Sequence, residues 1–578
     1  MSTHHTASLI ALVDGRPLPS AHAELLAWAA VEESTHASAH AEIGFRDPQQ
    51  AALLKATGMA LGGLLELRAQ TADGTHDLFE GEITGCEARA GDTTGVFTVV
   101  RADDRAHRLK RGNRTVAYTQ MSAHQIAEKI AGQYGLRTGS MESKGAVYDF
   151  LTQPAMSDWD FLRHLARENG CDVYVRAGAL HFHPPSLSAA PALGTPAQQS
   201  PFALEFGANL LKVSSAATTR GQVGTVLVRG WDPEKKEPLT ATGEPGSASV
   251  HEVPWRSEST AVREEPGLPR ASQDEVEQVA RAGAQRVADA LSELTAVVRG
   301  EPRIRLRSTV ALTGLGEQFQ GRYAVTSVRH VYHPEDGYLS ELTVGEGDGA
   351  EECGAGLRRF FGLVPGTVVN IQDPGKQGRV KVQLPWLSET YESNWARTVQ
   401  LGGSGGYGAV LPEVKDEVLV GFEQGCVDRP YVLGGLYNGV DKPRPAQSGL
   451  ELYDGTKGVG NRRSFASKEG HRLELLDAGA QGMGAVLVSG DDKLRIQLDQ
   501  HQTLITVHSD GKVEIAASKG ITLDAGDGPL ELKGQDITLS GRNVDIAANV
   551  DAKVSGGKTV TVKGGMNADV TAALVRIN

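Results

Sequence analysis

The sequence predicts a mainly β protein, in which β-barrel domains with a few helices precede a small barrel and a C-terminal intertwined trimeric β-helix. Three observations lead to this prediction. Short strand-like runs fill the first 440 residues, an apolar pair recurs about every eight residues near the C-terminus, and no Phe, Tyr or Trp follows Phe465. A strand and turn repeated at a short fixed period are typical of solenoids. The chain is therefore predicted to join globular β domains to a rod.

Length, composition and charge narrow the class of protein. With 578 residues, 40% hydrophobic and 22% charged, the chain is long enough for roughly three or four domains. Asp and Glu number 71 against 58 Lys and Arg, and the net charge of −13 argues against a nucleic-acid partner. No run approaches 18 apolar residues, and no signal peptide is evident. We expect reduced thiols in a cytoplasmically assembled protein, because the four cysteines are far apart and show no CxxC spacing: Cys86, Cys171, Cys353 and Cys426.

Residues 1–355 are predicted to form mixed β structure with three helices. Ser122–Tyr134 and Asp158–Asn169 each begin at a Ser or Asp cap. Ser272–Val298 begins with the capping box Ser272-x-x-Glu275 and carries apolar residues on one face. Helices are thus predicted to be a minor part of this half. The strand-like runs are Leu9–Val13, Leu64–Gln70, Gly95–Arg101, Thr225–Gly230, Arg303–Leu312 and Arg322–Tyr332.

Residues 356–440 are predicted to form an OB-fold. Five alternating strands within about 80 residues, with turn signals between them, indicate a small barrel. A linker over residues 441–470 then leads into a predicted shaft at residues 471–578. The predicted barrel strands are Gly366–Ile371, Arg379–Gln383, Asn394–Val399, Glu417–Phe422 and Tyr431–Leu436.

The predicted shaft repeats an x-Val-x-Ile-x motif. Successive pairs begin 8, 8, 9, 7 and 7 residues apart and then 16 and 15, as if two weak pairs were skipped. Two apolar residues in eight are too few for one chain to enclose a core, and short strands leave open edges. We therefore predict an intertwined β-prism, most simply a homotrimer, with a single-chain parallel β-helix as the alternative. The predicted trimer core is Ile505, Val507, Val513, Ile515, Ile521, Leu523, Leu530, Leu532, Ile537, Leu539, Val544, Ile546, Val560 and Val562.

The glycine-rich segment Gly402–Gly408 formally matches three enzyme motifs: a dinucleotide fingerprint, a kinase glycine-rich loop and a nucleophile elbow. The first and last of these need a following helix, whereas Ala409–Pro412 and a predicted strand follow here. No His-Arg-Asp or Asp-Phe-Gly triplet of a kinase occurs in the chain. We therefore interpret the segment as a barrel loop and predict no catalytic residue.

Two histidine pairs are candidate metal ligands. His181 and His183 share one face of a predicted strand, and His330 and His333 are three residues apart. A metal site needs further ligands, and the sequence indicates none beside either pair. We predict no metal and no other cofactor.

Motifs in both halves resemble those of VgrG and the related hub and spike proteins of contractile injection systems. The OB-fold motifs are the most specific and are similar to the gp5-type OB-fold of that family. The N-terminal half resembles the phage late-control protein D type of hub. The motifs are Pro365-Gly-Thr-Val368, Asp373-Pro-x-x-x-Gly378-Arg-Val-Lys-Val382, Trp395-Ala-Arg397, Gly406-Tyr-Gly408, Pro412-Glu-Val-x-Asp-Glu-Val418 and Asp428-Arg-Pro430-x-Val-Leu-Gly434 in the OB-fold, and Phe79-x-Gly81-x-Ile83, Arg105-Ala-His-Arg108, Tyr134-Gly135-Leu136 and Ser157-Asp158-Trp159-Asp160-Phe161 in the hub.

The resemblance implies a structural homotrimer and a set of partners. Residues 1–355 would form two β-barrel subdomains of a hub that binds the inner tube protein and baseplate proteins. The shaft would puncture the target envelope, and its end at Val575, Ile577 and Asn578 would dock a PAAR-type tip protein. Cargo effectors are further implied partners. The particle would be assembled in the bacterial cytoplasm without a signal peptide and delivered outward on contraction. The chain offers room for neither a lysozyme domain nor an effector, so no enzymatic activity is expected.

Two other classes of function compete with a structural spike. One is a phage baseplate spike with peptidoglycan-degrading activity, in which Glu32 and Glu33 or Asp158 and Asp160 would be the paired carboxylates. Their spacing does not distinguish them from surface or capping residues. The other is a receptor-binding trimeric fibre, although fibres usually end in an aromatic-bearing head. Type VI secretion, an extracellular phage-tail-like particle and a phage baseplate all use the predicted architecture.

Overall fold

Strands dominate the structure, as the sequence predicts, and the few helices lie in its first part. The computed structural model describes residues 7–577 except for positions 36, 48–51, 92–94, 144, 186–190, 220, 247–249, 252–259, 266–268, 335–336, 346–356, 404–408 and 445–448. The chain divides into two units, Met1–Lys442 and Pro443–Asn578. Among the described residues, no helix is long and apolar enough to cross a membrane.

The first unit begins with a β-rich half built around one sheet of eleven strands, in the order β14-β19-β23-β22-β3-β4-β7-β6-β5-β1-β2. Among the described residues of this half, smaller sheets and five α-helices accompany it. The elements are β1 Ser8–Val13, β2 Arg16–Pro17, α1 Ser20–Ala23, β3 Leu26–Ser34, β4 Ala37–Arg46, α2 Ala52–Thr57, β5 Leu64–Thr71, β6 Gly74–Gly91, β7 Gly95–Asp103, β8 Arg114–Ser122, α3 Ala123–Gln133, β9 Arg137–Met141, β10 Val147–Met156, α4 Asp158–Asn169, β11 Asp172–Arg176, β12 Ala179–His183, β13 Ala203–Glu205, β14 Leu210–Ala217, β15 Thr225–Asp232, β16 Glu237–Gly243, β17 Val250–His251, β18 Val262–Glu264, α5 Gln273–Asp289, β19 Ser292–Arg299, β20 Thr309–Thr313, β21 Gly321–Ala324, β22 Ser327–His333 and β23 Gly337–Val344.

Strand β4 shows why the large sheet forms. Its side chains Ala41, Ile43 and Phe45 alternate onto one face and are fully buried. Neighbouring strands β3 and β7 pair antiparallel on both sides of β4, so its backbone hydrogen bonds are satisfied within the sheet. The alternation of apolar residues thus fixes which face points into the core.

Helices α3 and α4 confirm two of the three predicted helices. Ser122 and Gln125 form a capping box at the start of α3. The Ser157 hydroxyl accepts a hydrogen bond from the Asp160 backbone at the start of α4. The Tyr118 and Phe161 rings stack with their centroids 5.6 Å apart, which joins α4 to strand β8.

Three predicted elements of this half were wrong in extent. The helix predicted over Ser272–Val298 ends at Asp289, and Ser292–Arg299 is strand β19. Every second residue of β19 is buried, which is the period of a strand and not of a helix. Within Arg303–Leu312 only the end, from Thr309, is strand. The predicted run Arg322–Tyr332 is divided between β21 and β22, which belong to different sheets.

The second part of the first unit is a five-stranded barrel-like sheet, in the order β25-β24-β27-β28-β26. All five predicted OB-fold strands are present. Its core is formed by apolar side chains such as Val368, Val382, Val418 and Val420. Phe150 of β10 packs against this core, so the barrel is joined to the N-terminal half. The strands are β24 Val364–Asn370, β25 Lys381–Gln383, β26 Arg397–Thr398, β27 Glu417–Phe422 and β28 Pro430–Gly435.

The second unit contains a short hairpin and a five-stranded antiparallel meander. The meander begins at Arg462, inside the segment predicted as a linker, and continues into the segment predicted as the shaft. From Asp510 to Ile577 the chain forms no further strand. The strands are β29 Tyr453–Asp454 and β30 Val459–Gly460 in the hairpin, and β31 Arg462–Ala466, β32 Arg472–Asp477, β33 Met483–Val488, β34 Leu494–Asp499 and β35 Leu504–Ser509 in the meander.

Candidate oligomer interface

The C-terminal segment from Gly511 to Ile577 makes only local contacts within its own chain. Every residue in this range is exposed, and the backbone forms no strand. One local contact is a turn, in which the Gly528 N–H donates to the Ala525 carbonyl. Exposed backbone amides bond to water, but aliphatic side chains left in water forgo the free energy of burial. The exposed aliphatic side chains of this segment therefore favour association with other chains.

The predicted trimer-core residues share a high exposure in the single chain. Their exposed fractions lie between 51% and 81% from Ile505 to Val562. The apolar residues of an interface between chains are exposed when one chain is considered alone. The assignment of these side chains to a trimer core stays a prediction. The predicted tip residues Val575 and Ile577 are also exposed, at 48% and 90%. Asn578 lies outside the described residues.

Two further candidate interface positions were not predicted from the sequence. Val554 and Val570 are exposed and fall where the eight-residue step predicts the two skipped pairs. Each follows an alanine, Ala552 and Ala568, that takes the first place of its pair. The repeat is therefore continuous, and alanine at the first position is the signal that could have shown it.

The meander carries an apolar surface that we call the open face. Cross-strand pairs place Phe465, Leu473, Leu487, Ile496 and Val507 in one row across all five strands. All five side chains are exposed. Aliphatic and aromatic cross-strand pairs stabilise a sheet, but a monomeric protein rarely leaves a contiguous apolar surface in water. The row ends at Val507, one of the predicted trimer-core residues, so the open face continues into the exposed aliphatic stripe.

The opposite surface of the meander, the covered face, is buried by the chain itself. Arg462 and Glu474 form an ion pair of 3.2 Å there, and both are at least 95% buried. A second guanidinium, that of Arg472, lies 3.8 Å from Glu474, and Arg462 also donates to the Arg444 carbonyl. Val486 and Val488 are buried on the same face. Because the chain covers this face and leaves the other bare, the open face is the surface available to further copies.

The carboxylates considered for peptidoglycan hydrolysis are bound in structural contacts. Burial opposes ionisation of Glu33, but Arg305 and Arg176 outweigh it and lower the pKa of this carboxyl. Asp158 is buried, lies 2.6 Å from an Arg114 nitrogen and accepts a hydrogen bond of 2.6 Å from the Tyr134 hydroxyl. These pairings fix the two carboxylates in place.

The remaining two candidate carboxylates are Glu32 and Asp160. Glu32 is exposed beside the buried Glu33 on β3. Asp160 accepts a hydrogen bond of 2.6 Å from the Ser157 hydroxyl in the first turn of α4. Glu32 is thus a surface residue, and Asp160 belongs to the capping contacts at the start of α4.

The histidine pairs are bound by neighbouring groups. His181 and His183 lie on one face of β12, as predicted, with their rings 6.3 Å apart. The Ser140 backbone donates to His181 Nδ1, and both nitrogens of His183 lie within 3.2 Å of an oxygen. His330 is buried against Ser340 and the Ile304 carbonyl. The described residues contain no group of three or more His, Cys, Asp or Glu side chains that could hold a metal ion.

Two earlier predictions fall partly outside the described residues. In the glycine-rich segment, positions 404–408 are not described. The described residues from Ala409 to Asp416 contain no helix before β27. Of the four cysteines, Cys86, Cys171 and Cys426 are free thiols, and Cys353 is not described.

Family comparisons relate both parts of the first unit to known proteins. Residues 13–333 match the model of the Alg8 N-terminal domain, and residues 364–437 match that of the type VI secretion system/phage-baseplate injector OB domain. A β-rich half followed by this OB domain is the order that the resemblance to VgrG-like hub and spike proteins implies. The chain belongs to the family of the Alg8 N-terminal domain, whose model covers more than half of its length.

Individual relatives agree with the predicted resemblance. Spike protein VgrG5 of the Pseudomonas aeruginosa type VI secretion system is 30% identical over 137 residues, which are 22% of this chain and 17% of VgrG5. VgrG3 of the Vibrio cholerae serotype O1 system is 31% identical over 138 residues, which are 22% of this chain and 13% of VgrG3. The matches thus span less than a fifth of the length of either relative.

The fold is also similar to that of a solved VgrG assembly. The half-lidded Francisella PdpA–VgrG complex contains a chain that is 9% identical, with a TM-score of 0.52 over 88% of this chain and 89% of that chain. At this identity the likeness concerns the fold alone. Together with the sequence matches, it confirms the predicted VgrG-like resemblance and the mainly β fold class.

Proposed function

We propose that this chain is the central hub and spike of a contractile injection system and acts as a homotrimer. The observation that carries the proposal is the apolar surface of the second unit, where the open face of the meander and the exposed aliphatic stripe follow each other along the chain. Three copies that turn these surfaces towards a common axis would bury them and pair their free strand edges. The result would be a rigid rod.

The proposed role is mechanical and not enzymatic. The relatives matched by sequence are spike proteins. Of the carboxylates that could serve a hydrolase, Glu33 and Asp158 are paired with arginines, Asp160 is hydrogen-bonded at a helix start, and Glu32 is exposed. A purified sample that clears a peptidoglycan suspension would contradict this part of the proposal.

We assign the proposed partners to different parts of the chain, from the first unit to the C-terminal end. The first unit would bind the inner tube protein and baseplate proteins, and cargo effectors would join the particle as it is assembled in the cytoplasm without a signal peptide. The end at Val575, Ile577 and Asn578 would be capped by a PAAR-type tip protein, because a prism end leaves apolar side chains and strand edges open. The particle would be a type VI secretion system or an extracellular phage-tail-like assembly that delivers the spike outward on contraction.

The mass of the full-length chain in solution tests the proposal directly. Light scattering after size exclusion should give three times 61.3 kDa, which is about 184 kDa. A folded monomer of 61.3 kDa would overturn the proposal.

A further inference from the structure

The charge of the C-terminal segment changes sign along its length. Residues 510–551 carry four basic and eight acidic side chains, a net charge of −4. Residues 552–577, which we call the distal segment, carry four basic side chains and one acidic side chain, a net charge of +3. The chain as a whole has a net charge of −13. The distal segment is therefore a basic end on an acidic protein.

Two of the three lysines before the distal segment have a carboxylate partner, whereas the distal lysines have none among the described residues. Before the distal segment, Lys512 pairs with Glu514 and Lys533 pairs with Glu531, each at 2.7 Å. Within the described residues, no carboxylate pairs with the three distal lysines. All three are exposed. The distal lysines are Lys553, Lys558 and Lys563, and Arg576 is the fourth basic residue of the distal segment.

The strand pattern directs these lysines away from the aliphatic stripe. Lys553 stands between Ala552 and Val554, and Lys563 follows Val562, so both alternate to the face opposite the apolar residues. Two turns of similar sequence, Ser555-Gly-Gly-Lys558 and Lys563-Gly-Gly-Met566, follow each other at an eight-residue step. Met566 is 97% exposed. The second turn therefore presents an apolar side chain beside basic ones.

We propose that the distal segment binds a membrane surface rich in anionic lipid headgroups. This inference rests on the proposed function, because a trimer would gather three such segments with a total charge of +9. Basic clusters are attracted to anionic leaflets, and an apolar side chain among them gains by entering the headgroup boundary. Nucleic acid would satisfy the same charges, but an exposed Met566 favours a lipid interface and the acidic remainder of the chain disfavours nucleic acid.

Vesicle sedimentation of the full-length protein tests this proposal. The probes are vesicles of phosphatidylcholine alone and of phosphatidylcholine mixed with phosphatidylglycerol. We expect binding to the mixed vesicles that weakens as salt is raised. The variant Lys553→Gln/Lys558→Gln/Lys563→Gln should lose at least about tenfold in affinity for the mixed vesicles. The arginine variant of the same three positions should retain binding.

The matched control neutralises three lysines before the distal segment. The variant Lys512→Gln/Lys519→Gln/Lys533→Gln removes the same charge and should bind as the unmodified protein does. Equal losses in both glutamine variants, or equal binding to both kinds of vesicle, would overturn the proposal. Tighter binding to duplex DNA than to the mixed vesicles would overturn it too.

Light scattering of the same samples separates this proposal from the proposed function. A trimer that does not bind the anionic vesicles would contradict only the proposed membrane contact. A folded monomer refutes the hub and spike.

Discussion

Asp428 shows how one residue joins the OB domain to the N-terminal half. It accepts hydrogen bonds from both the backbone and the hydroxyl of Thr152 on β10, and the Tyr391 hydroxyl lies 3.1 Å from that of Thr152. Asp428 is only 8% exposed, and its Oδ1 has no hydrogen-bond partner among the described residues. A buried carboxylate with half of its acceptors unused is easier to bury in the neutral form.

The first prediction concerns the pH dependence that Asp428 gives to this junction. Burial raises its pKa from 3.8 to about 7, so the neutral acid is favoured in the folded state. Its contribution is fully present below pH 3.8 and is lost as the pH rises to about 7. Asp428→Asn should remove this loss and stabilise the first unit at pH 8 by at most about 4 kcal/mol.

Denaturant unfolding at several pH values measures this effect. The control is Asp149→Asn at an exposed position of β10, which should leave the pH profile unchanged. A parallel pH profile for the protein with and without Asp428→Asn would show that the residue keeps its charge at neutral pH.

The second prediction concerns the buried ion pair of Glu33 and Arg305. Arg305 donates to Glu33, which is almost fully buried. Arg305→Met removes the nearer cation and leaves the buried carboxylate with only Arg176, at 3.7 Å, as its counter-charge, so we expect a loss of at most roughly 3–5 kcal/mol in the free energy of unfolding. Arg322→Met, at an exposed position of β21, is the control and should cost little. A small change for Arg305→Met would mean that the pair is not needed for stability.

At the scale of elements, the sequence predicted best where one periodicity acts alone. The OB-fold strands and helix α4 were found because alternation or a capped amphipathic run was undisturbed by its neighbours. The predicted helix Ser272–Val298 ran too far, because the apolar residues of α5 and β19 follow each other with only Ala290 and Leu291 between them. Only pairing with β14 and β23 shows that the period has changed.

The meander was hidden from the sequence for a related reason. Arg462 and Glu474 look like surface residues, yet they are buried together on the covered face. A sequence-based prediction that places charged side chains at the protein surface assigns β31 to a linker. Buried ion pairs between adjacent strands depend on register, which a single sequence does not reveal.

The third prediction tests the open face of the meander. Ile496 lies in the middle of the apolar row, and Gln497 points to the other side of β34. Ile496→Glu should place three carboxylates in the trimer interface and shift the protein towards monomer, whereas Gln497→Glu should not. Sedimentation velocity at one protein concentration compares the two variants. Equal behaviour would place the open face outside the interface.

At the scale of the whole molecule, the two units differ in how they reach a stable fold. The first unit buries its own strands and helices in several hydrophobic clusters. From Asp510 onwards the second unit leaves every described residue exposed. The chain pairs its own strands as far as the end of the meander and not beyond it, so only the segment after the meander depends on association. We therefore expect disruption of the shaft to leave the first unit folded.

The fourth prediction separates these two units with a pair of neighbouring substitutions. Ile537 belongs to the predicted trimer core, and Thr538 alternates to the opposite face. Ile537→Asp should bury three carboxylates around one axis, at a cost of several kcal/mol for each, so the trimer should dissociate. Thr538→Asp adds the same charge in solvent and should leave the mass at about 184 kDa. Light scattering gives the mass, and near-ultraviolet circular dichroism reports the first unit, which holds every Trp and Tyr except Tyr453. The intertwined shaft predicts a lighter particle with an unchanged aromatic spectrum for Ile537→Asp alone. Dissociation by both variants would mean that the aliphatic stripe does not face the axis, whereas an unchanged mass for both would remove the stripe from the interface.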